Sequence, residues 1–328
     1  MIFIKPRTKR LLICAIAIVV CLLSILIYKS CAELTRKYSE GLSYVPIDAE
    51  TCYISGIGRC KDIKLRIPKY IDGYKVTAIG DEAFSECDTL KKVILHDGII
   101  SVGKKAFWDC AEIIEIRLGN GLVSIGDRAF ASCNNLKNVT LPDSLESIGE
   151  GAFADCYNVK SVTFGNNIQS IGDGAFSHCH RLESITLPDS VTSLGNGAFQ
   201  NCYELASVTL SKNITSINKD TFYSCLALTD ITIPESVTSI GYGAFYDCEA
   251  LTDITIPESV TSIGYNAFYG CKALKKVTFE NPTGWWIADD ATATQGDSIN
   301  ASSLSALWTA SKYLTNQYVH KYWHRSEN

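Results

Sequence analysis

The chain has 328 residues, a formal net charge of −5, 46% hydrophobic and 20% charged residues, and no basic stripe, which gives no electrostatic reason to expect nucleic acid. Fourteen cysteines are many for a cytosolic protein yet too sparse for a small disulfide-stapled scaffold, so their spacing decides their role.

The chain opens with Lys5, Arg7, Lys9 and Arg10 and no acid, followed by an apolar run from Leu11 to Tyr28. As a helix these residues span roughly 27 Å, close to the thickness of a bilayer's hydrocarbon core. Positive charge ahead of such a run keeps the N-terminus in the cytoplasm and sends the rest across. Residues 1–31 therefore read as a cytoplasmic stub plus a membrane anchor through residues 11–28. A cleaved signal peptide ending near Ser30-Cys31-Ala32 is the alternative. Either way the bulk of the chain is expected outside the cytoplasm. Residues 32–46 are polar and mixed in charge, as in a short spacer, and residues 47–78 read as an N-terminal cap with a degenerate first repeat.

From residue 79 to 279 the chain repeats every 23 residues. Phenylalanine recurs from Phe84 through Phe107 and Phe130 to Phe268, preceded by alanine everywhere except Thr221 before Phe222. A cysteine lies three residues after each, from Cys87 to Cys271, and an aliphatic residue three further on. A period-2 stretch such as Val139-Thr140-Leu141 follows and predicts a short strand, which a proline such as Pro142 ends. Ser-Ile-Gly comes next, its glycine expected in a conformation that other residues resist. One coil cannot bury its apolar side alone; stacked coils share a continuous core. The fold class expected is an α/β repeat solenoid, a right-handed coil with a parallel β-sheet on one face.

The pattern LxxVxLPxSVxSIGxxAFxxC closely resembles the 23-residue treponemal-type leucine-rich repeats of BspA-like surface proteins. The segment Thr51-Cys52-Tyr53-Ile54-Ser55-Gly56 with Cys60-Lys61-Asp62 is similar to that family's N-terminal cap. The resemblance implies an adhesive or ligand-binding protein displayed on a microbial surface.

Residues 280–328 leave the register. Trp285-Trp286 and a threonine-rich loop precede Leu304, Leu307, Trp308, Leu314, Tyr318 and Tyr322, whose spacing predicts a helix covering the last coil.

The cysteine column is expected to hold packed thiols, since buried cysteine behaves as a small hydrophobe and a parallel column lacks the tetrahedral convergence zinc requires. Cys52 and Cys60 stand apart as a possible disulfide pair. His178 and His180 flank an inward cysteine, and His320 and His324 lie four apart on the expected helix without a third ligand. No metal, cofactor, small-molecule substrate or catalytic group is expected, because fixed spacing works against the irregular loops an active site needs. Two surface columns are the candidate partner sites. One is the outward strand position, threonine in Thr140, Thr163, Thr186, Thr209, Thr232, Thr255 and Thr278. The other is the tyrosine cluster Tyr223, Tyr242, Tyr246, Tyr265 and Tyr269. They predict a non-enzymatic binder of protein or glycan on another cell or matrix; a structural or self-associating spacer is the rival reading.

Overall fold

The computed structural model describes residues 38–326. The expected membrane segment, residues 11–28, lies outside the described residues; among those described, no helix is long and apolar enough to cross a membrane.

The described residues wind into a parallel β-solenoid of about ten turns with few helices. A representative coil has a first strand at Asn138–Thr140, a second at Ser147–Ile148, and a turn carrying Ala152 and Phe153. In the first strand Val139 is buried between exposed Asn138 and Thr140, the alternation a half-buried strand imposes. Register follows the sequence period: Ile148 pairs with Ile125 in the preceding coil and with Ile171 in the next. The second-strand ladder runs from Tyr74–Ile79 to Ser193–Leu194 and resumes from Ser216–Ile217 to Ser262–Ile263. First strands pair in three groups, the largest running from Asn138–Thr140 to Asp230–Ile231.

Inside, the phenylalanines form one continuous stack. Neighbouring ring centroids from Phe84 to Phe268 lie 5.0 to 6.0 Å apart, with planes within 17° of parallel. Beside the rings, the cysteine Sγ of each coil from Cys110 to Cys271 donates to the phenylalanine carbonyl of the coil before, at 2.9 to 3.4 Å. The thiol thus satisfies a buried carbonyl while filling apolar space.

The glycine of Ser-Ile-Gly acts differently from expectation. None of these glycines has positive φ; instead, a Cβ on Gly126 would stand 2.8 Å from the carbonyl carbon of Gly103, so the residue permits close coil-to-coil approach. The left-handed positions lie elsewhere, two residues before and two after each phenylalanine. They include Gly151, Asp155 and Asn201, but also Lys105 (φ 52°) and Arg128 (φ 53°).

The ends of the array are irregular. At the N-terminal end, Ser43–Pro46, within the expected spacer, pairs antiparallel with Thr51–Gly56, which joins Tyr74–Ile79 in parallel. Beyond Phe279 the expected single helix is replaced by short helices at Ala301–Ser305 and Leu307–Lys312, a π-turn at Tyr313–Gln317 and a strand at Tyr322–Arg325. Ala306 leaves the helical region (φ −90°, ψ 104°), which divides the first two. The strand is needed instead of more helix because it pairs antiparallel with Ser262–Ile263 and with Trp285–Ala288, giving the last second strand a partner. Trp285 and Trp323 are buried there, and the Ser311 hydroxyl donates to the Leu274 carbonyl.

Candidate functional site

The two expected surface columns differ in how they are built. Along the first strands, Thr140, Thr163, Thr186, Thr209, Thr232 and Thr255 are exposed, and Thr278 is half-buried. Thr140 pairs in register with Thr163, Thr186 with Thr209, and Thr255 with Thr278. The column is interrupted where the ladder is: no pairing joins Glu115–Arg117 to Asn138–Thr140, nor Asp230–Ile231 to Asp253–Ile256. A depression of about 380 Å3 lies at the first of these breaks, lined by Glu115, Arg117, Asn138 and Thr140. On its N-terminal side the threonines give way to charge. Lys92 and then Arg117 donate to Glu115, at 2.7 and 2.6 Å, and hold its carboxyl below the usual carboxylate range.

The tyrosines form two ladders. Tyr223, Tyr246 and Tyr269, each directly after a phenylalanine, stack at 4.7 and 4.8 Å. Tyr242 and Tyr265 stack at 5.9 Å. His320 lies 5.5 Å from both Tyr265 and Tyr269 and closes the two ladders at their C-terminal end, where its Nδ1 meets the Asn266 Oδ1 at 2.6 Å. His320 and His324 therefore do not share a helix face: His324 sits in the terminal strand, stacked on Trp286 at 4.5 Å.

Stacking has a chemical consequence. Each interior ring has its faces covered by neighbours, so the surface shows ring edges and phenol hydroxyls at coil spacing. Burial, then Asp247, raises the Tyr246 phenol above its ordinary value, so it stays a hydrogen-bond donor further into alkaline pH. Tyr223 is raised by burial, then Asp247 and Asp220, with Tyr242 and Tyr203 also near.

Tyr203 belongs to a third ladder that the reading of the sequence did not single out. His180 is sandwiched between Tyr157, at 4.8 Å, and Tyr203, at 4.5 Å. The signal was available: the residue after the cysteine is aromatic in three consecutive coils. Another missed feature is a trough of about 480 Å3 lined by Trp108, Arg128, Glu150, Asp155, Asp173 and His178. It forms where the tyrosine column is replaced by Ala131, Ala154 and Ser177.

The thiols of the column from Cys110 to Cys271 are held protonated. Burial is the largest cause pushing Cys110, Cys156 and Cys271 up to about 12, and it keeps the other thiols of the column from Cys133 to Cys248 above their ordinary value. Cys52 and Cys60 are both buried but belong to different surroundings. Cys52 pairs in register with Val76, whereas Cys60 lies near Cys87 at the head of the cysteine column. The Cys60 N–H bonds the Ile57 carbonyl at 2.9 Å, as that of Cys133 bonds Phe130 at 3.4 Å.

Comparison with known proteins places these features in context. Residues 63–183 and 169–284 match the family model of the BspA type leucine rich repeat region, in six copies. No curated protein matches the sequence. Among solved structures, the chain is similar to a leucine-rich repeat protein of Treponema pallidum at 27% identity, with 72% of this chain and 88% of that one covered and a TM-score of 0.47. It is also similar to a leucine-rich cell surface protein of Faecalibacterium prausnitzii at 22% identity, with 75% and 95% covered and a TM-score of 0.35. The pneumococcal vaccine antigen PcpA matches at 20% identity, with 75% and 82% covered and a TM-score of 0.42.

Proposed function

Because the chain belongs to the BspA-type leucine-rich repeat family, we propose that it is a surface-displayed binding protein whose tyrosine ladders dock a protein on another cell or matrix. The carrying observation is the exposure of these stacked rings: Tyr242 and Tyr269 stand 40% and 38% exposed beside Tyr223 and Tyr246. Stacked aromatic rings left in water offer a preordered apolar area with polar tips, which loses little entropy on binding.

The ring geometry favours protein over glycan as the partner class. A sugar stacks on an aromatic face, and here the interior faces are taken; edges and hydroxyls suit backbone amides and apolar side chains. The threonine column is a second docking surface, flat and hydroxyl-bearing, whose composition is also what β-strands favour. No catalysis is part of this reading, in which the column's thiols are packing groups, buried and held protonated. Residues 11–28 serve as the anchor, or as a signal removed on export.

The test is saturable binding of purified chain to a panel of immobilised matrix and host-surface proteins. Wild type is expected to bind at least one, and Tyr242→Ser/Tyr246→Ser/Tyr269→Ser to lose about tenfold or more in affinity, equivalent to about 1.4 kcal/mol. Thr186→Ala/Thr209→Ala tests the threonine column separately. Unchanged binding by the tyrosine variant sinks the assignment of the site. One observation favours the spacer reading: Thr229–Leu251 and Thr252–Leu274 differ at only three positions, as recent duplication leaves them. Concentration-dependent self-association in sedimentation, with no partner bound, would support that reading.

A further inference from the structure

The second-strand ladder is interrupted at one junction among the described residues, between Ser193–Leu194 and Ser216–Ile217, and the coil that follows departs from the others at one ladder position. Every other coil from Gly103 to Gly264 has glycine after its second strand. The glycine N–H donates to the preceding coil at 2.7 to 2.9 Å: Gly195 to Ile171, Gly241 to Ile217, Gly264 to Ile240. In this coil the residue is Asn218. Glycine is required there because a Cβ on Gly195 would stand 2.4 Å from the Asp173 nitrogen and from the Gly172 carbonyl carbon. Asn218 carries that Cβ, so its coil must stand off.

The interruption shows as two lost backbone bonds and as a wider spacing in the core. The Asn218 N–H makes no backbone bond; its side-chain Nδ2 reaches the Leu194 carbonyl instead, at 2.6 Å. Three residues earlier, Thr215 lacks the bond to the coil before that Thr192 (2.9 Å), Thr238 (2.9 Å) and Thr261 (2.8 Å) all make. In the core, Phe199 and Phe222 are the most widely spaced pair of the stack, at 6.0 Å. The other two sides of the same junction are intact. Ser184, Ile185 and Thr186 pair with Ser207, Val208 and Thr209, and the Gly197 and Asn201 N–H groups bond Lys219 and Tyr223 across the turn.

The same coil departs from the repeat elsewhere. Thr221 replaces alanine, and its hydroxyl donates to the Asn218 carbonyl at 2.8 Å; the Ser216 hydroxyl donates to the Asn218 Oδ1 at 2.7 Å. These side-chain bonds hold the wedge in place without rebuilding the ladder. We propose that the solenoid has a built-in joint here: Asn218 wedges the two coils apart along one side, and the second-strand side of the array opens at this junction before any other, hinged on the first-strand and turn sides. The tyrosine ladders lie C-terminal to the joint and the trough N-terminal to it, so the joint sits between the two surface features.

Amide hydrogen exchange resolved to single residues in the full chain tests this. The Thr215 and Asn218 amides are expected to exchange roughly 100-fold faster than those of Thr192, Gly195, Thr238 and Gly241, which occupy the same places in adjoining coils. In Asn218→Gly, which restores the residue that other coils carry, the amide of Thr215 should slow to the level of Thr192. Equal exchange at Thr215, Asn218 and their counterparts in wild type overturns the joint. Fast exchange at Thr215 that persists in the glycine variant overturns the role given to Asn218.

Discussion

Gly126 and Arg128 stand two residues apart in one coil and respond to substitution in opposite senses. At Gly126 space is the constraint, and Gly126→Ala drives a methyl into the preceding coil, with an expected loss of about 1–3 kcal/mol. At Arg128 the constraint is φ 53°, a conformation that disfavours any Cβ by about 1–2 kcal/mol. Its ion pair to Glu150, at 3.4 Å with both side chains more than half exposed, contributes little. Arg128→Gly is accordingly expected to raise stability by about 0.5–1 kcal/mol, after allowance for the freer unfolded glycine. Chemical denaturation of both variants measures the pair, and a shift of the same sign in both would contradict the distinction. Asp220 is a third case. Its Oδ1 is buried without a hydrogen-bond partner, and burial raises its carboxyl, offset in part by Lys219. A carboxyl whose folded pKa is raised binds its proton more tightly when folded, so its burden on stability appears as pH rises through the carboxylate range. Asp220→Asn is expected to add about 1 kcal/mol at pH 7 and progressively less towards pH 3. A gain that does not depend on pH would show that charge is not the cause.

At the scale of elements, the phenylalanine and cysteine columns do most of the packing. Phe153→Ala leaves a gap between Phe130 and Phe176 and should lower stability by about 3–5 kcal/mol, read from the denaturation midpoint. The thiols make a second prediction: among the described cysteines, native alkylation should modify half-buried Cys87 first, while the column from Cys110 to Cys271 reacts only on unfolding. These columns were legible in the sequence because they recur every 23 residues, and stacking turns that period directly into contact. The left-handed positions were not, because Lys105 and Arg128 give no local sign of positive φ. Only the coils that carry glycine, aspartate or asparagine there reveal it. The C-terminal segment misled for a related reason. Leucine and tyrosine at spacings of three and four suit a helix, yet the need of Ser262–Ile263 for a strand partner prevailed over local propensity. Among the candidate site residues, identical tyrosines in successive coils could be read off directly, whereas the alternation Tyr157, His180, Tyr203 hid a ladder whose members differ in type.

Over the described repeats, stability is a sum over neighbouring coils, because each coil touches chiefly the one before and the one after. Removal of one whole coil should therefore shorten the stack without changing its kind. The segment Thr229–Leu251 is the most suitable to remove, since the next coil nearly duplicates it: its loss brings Phe222 into register with Phe268 and deletes one rung, Tyr242 and Tyr246, from the tyrosine ladders. Thermal unfolding of that deletion, combined with a count of native thiols, is the most direct measurement. A shared interior built coil upon coil predicts a cooperative transition at somewhat lower temperature, with the remaining cysteines of the column still protected. A deletion variant that melts without cooperativity, its column thiols all reactive before heating, would contradict it.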